Sequence, residues 1–171
     1  LNIKGIVLRE LGDLNSSIAA YKKAISINPN YADAYNNLGN TIKATGQLKE
    51  AINEYQKALS IAPDYTEAHL NMGISLQDLG KPDEALKAYN KIISIEPNYT
   101  EAYLNMGVSL QDLGNLEEAV EAYKRAISLK PDYADAYYNL GNALKEQGKL
   151  EDAIKAYKKA ITLNPKYAEA Y

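Results

Sequence analysis

Cysteine is absent from the 171 residues, so the chain can form no internal disulfide and no thiolate zinc site. Histidine occurs once, at His69. No glycine-rich loop of the phosphate-cradling kind is present, and the convergent groups that catalysis requires are in short supply. No apolar run approaches the ~18 residues of a membrane span, and no signal peptide is visible. A non-enzymatic, cytoplasmic protein without cofactor or metal is expected. The tripeptides Asn15-Ser16-Ser17 and Asn98-Tyr99-Thr100 fit the glycosylation acceptor pattern, but nothing points to secretion.

A basic excess is missing too. Acids outnumber bases by 22 to 19, for a net charge of −3. Phosphate binding wants a basic stripe, whereas the lysines here are spread over the chain, so no nucleic-acid partner is expected. With 46% apolar residues the composition is globular.

What the chain does have is a period. Gly5, Gly39, Gly73, Gly107 and Gly141 are each 34 residues apart, as are Gly12, Gly46, Gly80, Gly114 and Gly148, and Pro29, Pro63, Pro97, Pro131 and Pro165. A fixed period of that length marks a solenoid or array. One domain over 1–171 is expected, divided into a partial unit 1–31, units 32–65, 66–99, 100–133 and 134–167, and the start of a sixth at 168–171. Leu1 and Tyr171 occupy the same slot of the unit as Tyr35, so an excerpt of a longer array is expected.

Within the unit, Tyr35, Leu38, Gly39 and Ile42 have the spacing of an amphipathic helix, and Leu48, Ala51, Ile52, Tyr55, Ala58 and Leu59 repeat it in a second. Gly46 closes the first helix and Pro63 follows the second. Asp64 and Asp132, like Asn30 and Asn98, precede Glu67, Asp135, Asp33 and Glu101 by three residues, an acidic version of the capping box. Gly39 sits inside a helix at a cost of about 1 kcal/mol relative to alanine, which predicts close approach of the two helices with Tyr55 filling the space beside it.

Tyr35, Leu38, Gly39, Ala51, Tyr55, Ala58 and Pro63 together resemble the tetratricopeptide repeat, over essentially the whole chain. Lys4, Ser17, Ile92 and His69 depart from its pattern. The resemblance implies an all-α fold, a right-handed α-solenoid superhelix of about five 34-residue helix-turn-helix repeats whose first helices line a concave groove. Fourteen of the fifteen tyrosines fall in three repeat slots and are expected to pack; Tyr138 alone departs and is expected to face outward. His69 takes a tyrosine slot and reads as a packed, hydrogen-bonded side chain. Glu50 with Glu54, and Glu117 with Glu118 and Glu121, read as solvated faces of second helices.

The positions of the first helix left over after packing are Asp33, Asn36, Asn37, Asn40, Lys43 and Ala44. One rung barely varies: Asn37, Asn71, Asn105 and Asn139, with Ile3 breaking it. A side-chain amide offers both donors and an acceptor, the complement of a peptide backbone. This row resembles the asparagine row in the substrate-binding superhelix of O-linked N-acetylglucosamine transferases. Where one copy has Asn36 and Asn40, the next two carry Leu70 and Ile74, then Leu104 and Val108, and the last returns to Tyr138 and Asn142. An exposed apolar patch is expected there, with Glu67, Asp78, Glu101 and Asp112 as an acidic rim that favours a neutral or basic segment.

The leading expectation is therefore a protein-interaction scaffold that binds an extended peptide segment at Asn37, Asn71, Asn105, Asn139, Asn40, Leu70, Ile74, Leu104, Val108, Tyr138 and Asn142. A chaperone-tail carboxylate clamp is rejected, because Asp33, Glu67, Glu101 and Asp135 stand where basic residues would be needed. Two alternatives are the substrate-recruiting arm of a larger enzyme such as a glycosyltransferase, and a self-assembling array. For the latter, no polar helix seals the apolar side of Ile154, Tyr157 and Ile161, which invites a head-to-tail homo-oligomer.

Overall fold

The computed structural model describes residues 1–170, with the backbone alone for residues 169 and 170; Tyr171, read above as part of a sixth unit, lies outside the described residues. The described residues form ten α-helices and a final 3₁₀ helix, Pro165–Ala170. In chain order they are α1 (Asn2–Glu10), α2 (Leu14–Ile27), α3 (Ala32–Ala44), α4 (Leu48–Ile61), α5 (Thr66–Asp78), α6 (Pro82–Ile95), α7 (Thr100–Asp112), α8 (Leu116–Leu129), α9 (Ala134–Glu146) and α10 (Leu150–Leu163). Consecutive helices pair, α1 with α2 through α9 with α10.

The chain divides into two compact units, one over Leu1–Ile95 and the other from Glu96 onward. In the first, α2 packs on α3 and α4 packs on α5, so each second helix touches the next first helix; in the second, α8 packs on α9 in the same way. Each unit is thus a helical solenoid in which a pair buries its apolar faces against its neighbour.

The glycine within each first helix is explained by the tyrosine opposite. A Cβ at Gly39 would lie 2.5 Å from Tyr55 Cε1, and one at Gly141 would lie 2.5 Å from Tyr157 Cε1. Tyr21, Tyr55, Tyr89 and Tyr123 are 0% exposed, and their rings occupy the volume a larger residue would need. Between the helices of a pair, Gly46 adopts φ +85° and its N–H reaches Lys43 O at 2.9 Å, closing α3 with an orphan carbonyl satisfied. Pro82 opens α6, where its missing N–H would have had no helical partner.

The capping expectation is corrected. First helices α3, α5, α7 and α9 have Tyr31, Tyr65, Tyr99 and Tyr133 at their N-caps, with no side-chain capping bond. Asp64 lies one residue too early to cap and instead pairs with Lys91 on α6 at 2.8 Å, while Asn98 accepts from Arg125 on α8 at 3.3 Å. A side-chain cap does form at α2, where Asp13 accepts from Ser16 N at 3.0 Å; hydrogen bonding by the Ser16 side chain, and then by this N–H, holds the Asp13 carboxyl below its ordinary range.

His69 packs as expected. It is 9% exposed, and its Nε2 lies 2.8 Å from Pro63 O. Tyr103, in the same slot of α7, donates its hydroxyl to Pro97 O at 3.0 Å. The carbonyl can only accept, so Nε2 of His69 carries the proton, and the buried Nδ1 has no partner among the described residues.

Candidate functional site

The faces of the first helices are tied to one another across neighbouring repeats. In the first unit Asn71 Nδ2 donates to Asn36 Oδ1 at 3.0 Å, and Asn37 Nδ2 donates to Asn2 Oδ1 at 3.3 Å. Lys43 pairs with Asp78 at 2.9 Å, and Tyr65 Oη donates to Asp33 Oδ1 at 2.8 Å. In the second unit Gln111 Nε2 donates to Glu146, and Tyr167 Oη to Asp135. The asparagine rung is thus partly a structural tie: Asn37 and Asn71 each engage an amide hydrogen with the preceding first helix. Asn105 and Asn139 are half-buried, like the other two. Asn139 makes no side-chain hydrogen bond among the described residues, because Leu104 stands where Asn36 would accept.

Three expected face residues lie deeper than their spacing suggested. Asn36 is 0% exposed and donates to Glu67 Oε1 at 3.1 Å. Leu70 and Leu104 are 7% and 9% exposed, so neither contributes to an exposed apolar patch; Ile74 and Val108 keep partial exposure. Tyr138 does not project freely outward: it is half-buried, stacked on Tyr167 at 4.8 Å between ring centroids and tilted against Tyr157 at 5.8 Å.

A pattern that the sequence reading missed governs the remaining amides. In four of the five pairs the buried tyrosine of the second helix sends its hydroxyl to a first-helix amide, and which amide depends on the copy. Tyr55 Oη donates to Asn40 Oδ1 at 2.8 Å, and Tyr157 Oη to Asn142 Oδ1 at 2.8 Å. Where Ile74 and Val108 replace that asparagine, the hydroxyls turn to residues three positions on: Tyr89 donates to Gln77, and Tyr123 to Gln111 Oε1 at 3.0 Å. The first pair has Ile6 and Arg9 at the two positions and offers neither amide. Tyr21 Oη accordingly has no hydrogen-bond partner among the described residues. Burial raises the phenol pKa of Tyr21 and carries that of Tyr55 to about 12; Tyr89 and Tyr123 are raised for the same reason.

The consequence for Asn40 and Asn142 is directional. Each carbonyl oxygen is held by a phenol, and each half-buried amide nitrogen has no partner among the described residues. Both side chains therefore present N–H donors from a fixed orientation. On α9, Asn139 and Asn142 are three residues apart, the helical spacing that puts both on one face. Among the described residues no group of three or more His, Asp or Glu side chains is placed to hold a metal ion, and no helix is long and apolar enough to cross a membrane.

Paired helices of this period, with glycine against tyrosine in every pair, define a helical repeat protein of the solenoid class. Models of the TPR repeat match residues 5–46, 42–80 and 109–148, and models described as tetratricopeptide repeat match 66–99, 134–167 and 88–121. The chain belongs to the tetratricopeptide-repeat family. It is similar to a crystal structure of MamA, with 30% identity over 96% of each chain and a TM-score of 0.87. The crystal structure of YrrB, described as a TPR protein with an unusual peptide-binding site, is 28% identical over 96% of this chain and 84% of YrrB, with a TM-score of 0.81. MamA residues 41-end from Desulfovibrio magneticus RS-1, 18% identical over 95% of this chain and 92% of that one, share the fold at a TM-score of 0.88. No curated protein matches the chain.

Proposed function

We propose that the chain is a non-enzymatic protein-interaction scaffold that binds an extended segment of another protein through the amide-bearing faces of its first helices. The observation that carries this reading is the fixed amide: Tyr157 Oη holds Asn142 Oδ1 at 2.8 Å, so the Asn142 N–H groups face away as donors for a backbone carbonyl. Asn40 repeats the arrangement on α3, and Asn139 adds an unengaged amide to the α9 face. The likeness to YrrB, described as having a peptide-binding site, supports the same reading.

Amides alone give modest affinity. A net hydrogen bond contributes about 0.5–1.5 kcal/mol, so the partner must add apolar or charged contacts of its own. Glu67, Glu101 and Asp135 are exposed near the starts of α5, α7 and α9, which favours a neutral or basic segment over an acidic one.

The test uses Asn142→Asp and Asn40→Asp as separate single variants. Aspartate keeps an oxygen for the tyrosine hydroxyl and removes both N–H donors, so the fold is retained while the donors are lost. Neutral ten-residue peptides selected from a display library on the wild-type chain should bind the Asn142→Asp variant about fivefold more weakly in calorimetry, one lost bond of about 1 kcal/mol, and peptides held at α3 should respond likewise to Asn40→Asp. Undiminished binding, or a library that yields no binder, overturns the reading.

A further inference from the structure

One buried amide in the first unit has no counterpart in the second. The carboxamide of Asn36, which is 0% exposed, is held at both ends: its Oδ1 accepts from Asn71 Nδ2 at 3.0 Å, and its Nδ2 donates to Glu67 Oε1 at 3.1 Å and reaches Tyr65 Oη at 3.5 Å. Glu67 and Asn71 are four residues apart on α5, the spacing that puts two side chains on one helical face. A single planar amide thus bridges an acceptor and a donor one turn apart.

The second unit repeats the receiving groups and lacks the amide. Tyr133, Asp135 and Asn139 stand in the slots of Tyr65, Glu67 and Asn71, while Leu104, 9% exposed, stands in the slot of Asn36. Leucine has the branched shape of asparagine but neither its donors nor its acceptor. The Asn139 amide and the Tyr133 hydroxyl accordingly have no hydrogen-bond partner among the described residues, and Asp135 engages only Oδ1, with the Tyr167 hydroxyl. Asp135 is exposed and the other two are half-buried, so all three can be reached from solvent. Burial, and then the Glu101 and Asp135 carboxylates, push the Tyr133 phenol up to about 12, which sets Asp135 close to that hydroxyl.

We propose that a glutamine or asparagine side chain of the bound segment supplies from outside the amide that the second unit lacks. Its oxygen accepts from Asn139 Nδ2, and its nitrogen donates to Asp135 Oδ2 and the Tyr133 hydroxyl. A lysine or arginine has no acceptor for the Asn139 N–H, and a carboxylate has no donor for Asp135, so the carboxamide is the side chain that satisfies both. This seat deepens the scaffold reading, on which it rests, by naming the residue that fixes the register of the segment on α9. Leu104 acts through Asn139: it leaves open on α9 the seat that Asn36 closes on α5.

Calorimetry with neutral ten-residue peptides selected by display on the wild-type chain tests the proposal. The selected peptides should share a glutamine or asparagine at one position. Replacing that glutamine by methionine, or that asparagine by leucine, keeps the shape without the amide and should weaken binding about tenfold. Leu104→Asn supplies the amide from within, and on that variant the amide peptide and its apolar counterpart should bind alike. Asn139→Asp, at a half-buried position, removes the N–H donors and should erase the same preference. Binders that share no amide residue, or a preference that survives both variants, overturn the seat and leave the scaffold reading standing. An arginine that serves as well as the glutamine also overturns it, since charge alone would then be read. A library that yields no binder removes both.

Discussion

Tyr55 and Asn40 meet at 2.8 Å, hydroxyl to side-chain carbonyl, across the two helices of one pair. The same bond is lacking at Tyr21, whose buried hydroxyl has no hydrogen-bond partner among the described residues, Ile6 and Arg9 standing in the slots of Asn40 and Lys43. An unsatisfied buried hydroxyl costs about 1–3 kcal/mol.

Arg9→Gln supplies the amide that Gln77 and Gln111 supply elsewhere, and should raise stability by about 1 kcal/mol in urea denaturation. The control is a double-mutant cycle with Tyr21→Phe. That change should be neutral or stabilising in the wild type and destabilising beside Arg9→Gln. Additivity of the two would show that the new bond does not form.

Gly39→Ala should destabilise the chain although alanine is the better helix former. The added Cβ would lie 2.5 Å from the Tyr55 ring. Overpacking costs about 1–3 kcal/mol, against a gain in helix propensity of up to about 1 kcal/mol, so a net loss of about 1–2 kcal/mol is expected. With Tyr55→Leu the ring is gone, and the alanine should then be harmless or favourable.

Alkaline pH should unfold the protein through its phenols. Burial raises the Tyr55 pKa from 10.0 to about 12 and also raises those of Tyr21, Tyr89 and Tyr123. A group with a raised folded pKa contributes its full stability below the unfolded value and loses it as pH rises toward the folded one. Stability should hold to about pH 9 and fall from about pH 10 upward, with the slow fraction of tyrosinate absorbance appearing together with the loss of helical signal. Tyrosines that all ionise near pH 10 in a folded chain would contradict this.

His69→Tyr should stabilise the third pair. His69 leaves its buried Nδ1 without a partner, whereas Tyr103 in the same slot reaches the equivalent carbonyl through its hydroxyl alone. A rise of about 1 kcal/mol in thermal or urea denaturation is expected. A fall would mean that the imidazole fits this copy better than a phenol.

The 34-residue period exposed the helix pairs because Gly39, Gly46 and Pro63 recur at fixed places, and each has a physical reason to be there. Apolar spacing reports how a helix packs against its own partner. It is silent on how one first helix meets the next, which is why Asn36, Leu70 and Leu104 read as exposed although they are buried. The bond between Asn71 and Asn36 spans 35 residues, one more than the period, and no pattern within a single unit reveals it. The capping error has a similar origin. Asp64 and Glu67 have capping-box spacing, but Tyr65 takes the N-cap and frees Asp64 to reach Lys91. The pairing of Asn40 with Lys43, against Ile74 with Gln77, was legible in the letters, and only the direction of the tyrosine hydroxyls gives it meaning.

That alternation restricts how such a chain can change what it displays. Trading Asn40 for an aliphatic residue alone strands a phenol in the core, and trading Lys43 for glutamine alone adds a second acceptor where one is enough. Glutamine first and the aliphatic residue second is the order in which the phenol is never left unpaired. Engineers who wish to rewrite the first-helix face of one copy should therefore transplant these positions as a couple and leave the tyrosine beneath them untouched.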